Sequence, residues 1–342
     1  MENKKKLLII LLNWNGSQDT LACCESIKGV ERFNEGLVDL VIIDNDSNID
    51  SYDYLCGGLE KLFGQPQNIE VSKELFNGYK LTATRAYQNV YLFKSSLNHG
   101  FAKGCNLGAK YAELKGYEYI LFLNNDTVVE PDFLEPLLES IDTFDAVIPQ
   151  IRYHHDKNLM WNCGGKLSKY GSRKYYYAKE NINNIVFPKD VFTVTFATGC
   201  CLLFKTNYFK EIGRFSERFF FGEEDIELAL RLMKNKARIV CNTHSIIYHK
   251  VGASIQGSPE KLLRKAYIHY LNRFVNMKLH LGILWYLWLI PSLMKVILNL
   301  IKINQLNLRG SYSFLKALIS DSFSLTQVDK NKFESVLKDG FK

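Results

Sequence analysis

No C-x-x-C pair occurs among the eight cysteines of this chain, Cys23, Cys24, Cys56, Cys105, Cys163, Cys200, Cys201 and Cys241. That spacing argues against a zinc site and fits reduced, packed thiols in a cytosolic protein. A G-x-G-x-x-G loop is missing as well. Gly100, Gly104 and Gly108 recur at four-residue intervals, which gives a dinucleotide site little support. Repeats and low-complexity tracts are not evident. A signal peptide is not expected: Lys4-Lys5-Lys6 precedes an apolar run, residues 7–12, that is short and meets Asn13-Trp14-Asn15-Gly16 in place of a cleavage site. That run reads as a first buried strand.

What the chain does hold is ample core for one large or two small domains in 342 residues. Its charge is unevenly placed. Residues 261–342 carry 13 Lys/Arg against 4 Asp/Glu, a net +9 that exceeds the +7 of the whole chain, so the remainder is slightly acidic. A basic C-terminal region favours an anionic surface. Nucleic acid is disfavoured as that surface, because no recognition motif accompanies the charge.

Strand and helix patterns alternate through the first half. Strands are expected over 6–12, 37–43 and 119–123, and helices over 17–27 (Ser17 as N-cap), 104–114 and 132–140. Such alternation implies an α/β fold with a mainly parallel, doubly wound sheet. Residues 48–92 break the pattern. They are polar, with possible strands at 80–84 and 90–94, and are expected to run as a long excursion over the surface near a ligand cleft, with some structure of their own. Residues 146–204 show short strand signals, Gly164-Gly165 and a Tyr-rich basic patch at 173–177.

The stretch from Tyr119 to Thr127 carries the most chemistry. A buried apolar run ends in Asn124, Asn125 and Asp126, which delivers a carboxylate to a strand's carboxyl end, where open α/β sheets bind ligands. Carboxylate and amide oxygens suit a hard divalent cation shared with phosphates; they also suit a plain strand-terminating turn. Asp44 is suited to accept from a pyrimidine N–H or a ribose hydroxyl, with Asn13 and Asp46 close by, or to form an Asx-rich turn. Glu223, Glu224 and Asp225 precede a helix over 226–234, where acids suit the positive helix N-terminus. After Ser258-Pro259 the chain becomes helical and basic. Residues 281–303 are strongly apolar, with Trp285, Tyr286 and Trp288, and are interrupted by Pro291 and Lys295. A kinked or paired helix lying in a membrane interface is preferred to a spanning one, with a buried helical hairpin as the alternative.

Seven blocks follow one another in a familiar order. Leu11-Leu12-Asn13-Trp14-Asn15-Gly16 resembles a first strand and its nucleotide-contacting turn. Val41-Ile42-Ile43-Asp44-Asn45-Asp46-Ser47 resembles V-D-N-x-S, and the run from Asn98 to Gly108 resembles N-x-G-F-A-x-G-x-N-x-G. Leu123-Asn124-Asn125-Asp126-Thr127 resembles the L-N-P-D-T form of D-x-D. Thr198-Gly199-Cys200-Cys201-Leu202-Leu203 resembles S-G-A-x-x-L, and Phe215 to Leu228 resembles F-D-E-x-F-F followed by E-D-x-D-L. His249-Lys250-Val251-Gly252-Ala253-Ser254 resembles H-x-x-G-x-S. Together, over about residues 7 to 275, they resemble an inverting family 2 glycosyltransferase of the GT-A fold, in the rhamnosyltransferase-like branch of bacterial polysaccharide assembly.

The resemblance implies a GT-A catalytic domain over 1–258 and a helical, membrane-associating region over 259–342. It implies transfer from a nucleotide-diphosphate sugar, with a lean towards dTDP-rhamnose, to a saccharide or polyprenyl-diphosphate-linked acceptor. Asn13, Asn15, Asp44, Asp46, Lys103, Asn124 and Asn125 would meet the nucleotide sugar. Asp126 and His249 would hold Mg²⁺ or Mn²⁺, and Thr198 and Gly199 would lie on the acceptor side. Asp225 would be the base, with Glu224 orienting the acceptor. Asn124 departs from the pattern, standing where a full D-x-D has its first Asp, and the 48–92 excursion replaces a usually short connection. A nucleotidyltransferase and a non-catalytic sugar-nucleotide-binding scaffold are the competing readings. The first should carry a basic Gly-rich loop that Asn13-Trp14-Asn15-Gly16 is not, and the Glu224-Asp225 pair argues against the second. The expected location is the cytoplasm, peripheral at the inner face of the cell membrane. The C-terminal helices could instead cover the catalytic domain or pair two subunits as a homodimer.

Overall fold

Leu7, Ile9 and Leu11 belong to the apolar core on one face of the first strand, and Leu8 and Ile10 to that on the other. Both sets are buried, so the strand is covered on both sides. A computed structural model, which describes residues 7–71, 78–251, 258–302 and 308–341, shows what covers it.

The strands are β1 (Leu7–Asn13), β2 (Val38–Asn45), β3 (Gln67–Asn68), β4 (Leu81–Tyr87), β5 (Val90–Ser95), β6 (Tyr119–Asn124), β7 (Thr127–Val129), β8 (Ala146–Tyr153), β9 (Met160–Asn162), β10 (Gly165–Leu167), β11 (Arg173–Tyr175), β12 (Val191–Val194), β13 (Cys201–Lys205) and β14 (Ile239–His249). The helices are α1 (Ser17–Lys28), α2 (Glu31–Asn34), α3 (Ile49–Phe63), α4 (Phe101–Lys115), α5 (Leu134–Ile141), α6 (Thr206–Glu211), α7 (Glu224–Lys234), α8 (Pro259–Leu281), α9 (Trp285–Lys302), α10 (Leu308–Ser324) and α11 (Lys330–Asp339). One sheet runs β12-β14-β8-β13-β6-β1-β2-β5-β4-β3. It is parallel at its centre, β6-β1-β2-β5, where strand and helix alternate in the sequence. Beyond that it is mixed, since β13 enters antiparallel between β6 and β8. α1, α3 and α5 pack on one face; α4, α6 and α7 pack on the other. All eight cysteines are buried and free.

Three expectations need correction. Residues 48–92 hold structure of their own, as expected, but they are packed into the fold and not laid over its surface: Asn48 caps α3 by accepting from the Ser51 N–H, and Tyr52, Leu55, Leu59 and Phe63 bury one face of a 15-residue helix. Gly58 lies directly against Leu21 of α1, so a residue that weakens a helix in isolation here lets two helices touch. The strands expected at 80–84 and 90–94 appear as β4 and β5; residues 72–77 lie outside the described residues. Ser17 is not the cap of α1, which follows Gly16 without a side-chain cap. Finally, α9 runs unbroken through Pro291, and the bend falls at Gly282, whose φ of +54° is left-handed. Pro291 removes one N–H, but its helix carries much of its surface exposed, where a freed carbonyl can be hydrated.

The glycines of the Asn98–Gly108 block are close-approach residues. A Cβ on Gly104 would enter Leu12 of β1, and one on Gly108 would stand 2.6 Å from Ile10 Cγ2. α4 therefore lies hard against the central strand. The C-terminal helices are equally tied in: Tyr267, Leu271, Phe274, Trp285, Phe314, Leu318 and Val336 share a core with Phe196, Phe219, Ile226 and Leu230. Gly108→Val is expected to overpack the α4–β1 contact and cost about 1–3 kcal/mol of stability. A urea-unfolding midpoint equal to that of the wild type would contradict this packing.

Candidate active site

β1, β2 and β6 end together at one sheet edge because their parallel registers align Asn13 with Asp44 and Leu12 with Asn124. Asn13 is the hub there. Its Nδ2 donates to Asp44 Oδ2 at 2.7 Å and Ser47 Oγ at 3.2 Å, while its Oδ1 accepts from Thr20 Oγ1 at 2.9 Å. Asn125 Nδ2 donates to Thr20 Oγ1 at 2.9 Å, which joins the third strand end to the first. Asp44 is fully buried, and its other oxygen accepts from the Ser47 N–H at 3.2 Å. Asn15 and Asp46, by contrast, are exposed, at φ +53° and +71°. Non-glycine residues in the left-handed region persist only where surroundings fix them, and such residues concentrate at functional sites. Asp44 thus shapes the edge from within, while Asn15 and Asp46 face outward from it. Lys103 lies with its Nζ 5.2 Å over the ring of Tyr79.

Asp126 follows β6 in a turn closed by Thr127 Oγ1, which donates to the Asn124 carbonyl at 2.6 Å. The next residues form β7, which pairs antiparallel with β14 so that Thr127 faces His249. This register brings His249 Nε2 to 3.0 Å from Asp126 Oδ1. The approach is not along a hydrogen-bond direction, and Asp126 Oδ1 has no donor among the described residues. Trp161 on β9 meets the imidazole edge-on at 4.5 Å and fixes its plane. Burial alone lowers the pKa of His249, but Cys200 and the Asp126 carboxylate beside it raise it to about 10. Burial pushes the Cys200 thiol up, against the pull of His249, and a cation held here would displace the imidazole proton, because only neutral imidazole ligates.

The donor set fits a hard cation. Cis ligands of an octahedral ion with bonds of about 2.1 Å sit about 3 Å apart, as this oxygen and nitrogen do. Among the described residues no group of three or more metal-ligating side chains forms, so phosphate and water would supply the rest of the shell. Asn124 is used through its backbone, its N–H donating to the Cys200 carbonyl at 2.8 Å. That bond holds the segment Thr198-Gly199 beside the strand end, with Thr198 Oγ1 buried and unpartnered among the described residues. Gly252 to Ser254, the end of the H-x-x-G-x-S block, lie outside the described residues.

The second acidic group opens α7. Glu223 is its N-cap at φ +76°, followed by Glu224 and Asp225 in the first turn. Phe220, just upstream, accepts from the Phe101 N–H at 3.2 Å, which ties this loop to α4 and to the glycine at 100 that a Cβ would drive into the Phe220 carbonyl. Burial, then the neighbouring Asp225, pushes Glu224 up to about 8, and burial raises Asp225 against the pull of Arg173. Asp225 is half-buried, and ionisation of either carboxyl opposes that of the other. Glu224 Oε2 is another buried atom without a partner among the described residues. Glu227 is different: it binds Arg231 and helps build the helix. Trp161, Thr20, Arg173 and the polar residues of α8 escaped the sequence reading; only the basic patch at 173–177 hinted at one of them.

Comparisons with known proteins bear on the family and the fold. A model described as glycosyl transferase family 2 matches residues 8–213, and one described as glycosyl transferase family group 2 matches residues 119–320. The O-antigen biosynthesis protein RfbC of Myxococcus xanthus is 26% identical over 142 residues, which cover 40% of this chain and 11% of that protein. The fold is similar to that of GalNAc-T7 solved with UDP, GalNAc and Mn²⁺, at 16% identity and a TM-score of 0.54 over 80% of this chain and 51% of that one. It is also similar to S. aureus TarS 1-349, at 14% identity and a TM-score of 0.51 over 97% and 83%. The architecture is that of GT-A glycosyltransferases. Asp126→Ala is expected to weaken Mn²⁺ binding in the presence of a nucleoside diphosphate by at least about tenfold, as loss of a metal-organising group does. Calorimetric titration showing unchanged affinity would move the cation elsewhere.

Proposed function

The chain belongs to glycosyl transferase family 2, and we propose that it moves a sugar, with inversion, from a nucleoside-diphosphate donor to a saccharide or lipid-linked saccharide in cell-surface polysaccharide assembly. One observation carries this reading: Asp126 lies against His249 at the strand ends while the buried Glu224 and the half-buried Asp225 open α7. Transfer from such a donor leaves negative charge on the departing diphosphate and needs a proton removed from the acceptor hydroxyl. When bound, Mg²⁺ or Mn²⁺ would offset the first charge, with Asp126 and His249 holding it.

The chain's own groups supply the rest. Asn13, Asp44 and Asn125 form a rigid floor, above which Asn15, Asp46, Lys103 and Asn124 are available to the nucleotide sugar. Asp225 takes the acceptor proton as attack proceeds from the face opposite the leaving group, which inverts the anomeric centre in one step. Glu224, protonated near neutrality, can donate to the acceptor and orient it, and Thr198 and Gly199 line the same side. The likeness to RfbC supports the polysaccharide context. dTDP-rhamnose is the first donor to test and UDP-hexoses the next.

The test is nucleoside-diphosphate release from a donor panel with Mn²⁺, with and without acceptor. Asp225→Asn should lower turnover by about 10²–10⁴ while leaving donor binding within a few-fold. Because the carboxyl pKa values at α7 are raised, the base must ionise at higher pH than usual, so the acid limb of the wild-type rate lies above the ordinary carboxylate value of about 4. Retained turnover in folded Asp225→Asn sinks the base assignment. Pyrophosphate release from a triphosphate would indicate a nucleotidyltransferase, and neither product a scaffold.

We also propose that the enzyme sits at the inner face of the cell membrane. Among the described residues one helical stretch, Pro259–Lys302, is long and apolar enough to cross a bilayer. One face of α9 packs inward through Trp285, Val296 and Leu300, while Leu287, Ile290, Met294, Leu298 and Ile301 leave 41–72% of their surfaces exposed at helical spacing. A helix packed on one side and apolar on the other suits a membrane interface, and basic residues attract anionic lipid at about 1 kcal/mol each near the surface. Full-length protein is expected to float with anionic vesicles at low salt, and Leu287→Asp with Met294→Asp to remain behind. Wild-type protein that stays soluble as a dimer disrupted by the same substitutions would place a second copy on this face.

A further inference from the structure

The polar residues of α8 converge on the loop that carries the catalytic acids. Asn272 Nδ2 donates to the carbonyls of Phe221 at 2.9 Å and Gly222 at 3.2 Å. One turn further, Asn276 Nδ2 donates to Glu223 Oε1 at 3.0 Å, and Arg273 Nε lies 2.9 Å from the same oxygen. Arg273 also donates to the Gly171 carbonyl in the turn between β10 and β11. Asn272 and Asn276 are buried, and the Glu223 side chain is only 2% exposed. A helix that merely covered a core would present apolar side chains here.

The loop needs such support. Gly222 and Glu223 both take left-handed φ, +86° and +76°, immediately before Glu224 and Asp225 enter α7. For glutamate that conformation persists only when its surroundings over-determine it. We propose that Arg273, with Asn276, is a positioning residue for sugar transfer, fixing Glu223 so that Glu224 and Asp225 are presented together at the start of α7. The proposal rests on the role given to Asp225 above.

Arg273 also acts through its charge. Around Asp225 stand Glu223 at the cap of α7 and Glu224 in its first turn, Arg173 and Tyr175 on β11, and Arg273 on α8. His269 of α8 faces both arginines, and Cys105 of α4 faces Glu224. Burial raises the Asp225 pKa, and Arg173 and Arg273 oppose it. Removing Arg273 therefore moves ionisation of the base to higher pH.

The experiment is steady-state transfer by full-length Arg273→Met, Arg273→Gln and Arg273→Lys across pH. Arg273→Met should lower kcat by about 10- to 100-fold, as misplacement of reacting groups does. Donor KM should stay within about threefold, since uniform binding is untouched. The acid limb should rise by about half a unit or more, and Arg273→Lys should restore the limb and much of the rate. If the methionine variant does not fold, the glutamine variant is read by the same criteria. Unchanged kcat, or a lower kcat with the limb unmoved, overturns the proposal. Failure of the base assignment is separate, because it appears as retained turnover in Asp225→Asn.

Discussion

The pairing of β14 with β7 is the constraint on which the site depends. Side chains alternate across a strand, so a slip of one residue would turn His249 away from Asp126 and put Tyr248 or Lys250 in its place. The register is held from both sides, because β14 also runs parallel to β8, from Ile246 to His249 after a bulge that follows Asn242, and the Lys250 N–H donates to the Asp126 carbonyl at 2.9 Å. A strand late in the chain is thereby made to complete a site begun by β6, and Trp161 from β9 closes over the imidazole.

Two acidic groups at one edge are set to different chemistry by their surroundings. Asp126 faces a histidine and has an oxygen without a donor, which suits a cation. Burial raises the pKa of Glu224 and of the half-buried Asp225 above the ordinary carboxylate range, with Arg173 and Arg273 opposing the shift at Asp225. The division follows from where the backbone delivers each carboxylate. One comes from the end of a central strand, the other from a left-handed turn that α4, α8 and the Arg218–Val328 pairing hold in place.

The strand ends were legible because composition changes abruptly there: an apolar run gives way to Asn-Asn-Asp, or to Asp-Asn-Asp-Ser. α3 was not, since its buried residues at 52, 55, 59 and 63 are diluted by polar neighbours and two glycines, and its stripe is only visible once α1 is beside it. Gly104 and Gly108 looked like a failed phosphate loop and are close packing against β1. Asp44 was read as a nucleotide contact or part of an Asx-rich turn, and the sequence did not show that Asn13, opposite it on the neighbouring strand, donates to one of its oxygens while the Ser47 N–H donates to the other. The contribution of α8 was hidden for a similar reason. Asn272, Arg273 and Asn276 sit within an apolar, basic helix, and nothing local says that they reach back some fifty residues to Phe221 and Glu223.

The central claim is that one imidazole and one carboxylate, brought together by the β7–β14 register, hold a cation that also binds the donor's phosphates. Pulsed electron paramagnetic resonance of the Mn²⁺ complex with a nucleoside diphosphate tests it directly. The account predicts nitrogen coupling from a single imidazole together with phosphorus coupling from the nucleotide, the nitrogen signal vanishing in His249→Ala. Phosphorus coupling with no imidazole nitrogen in the wild-type protein would contradict it.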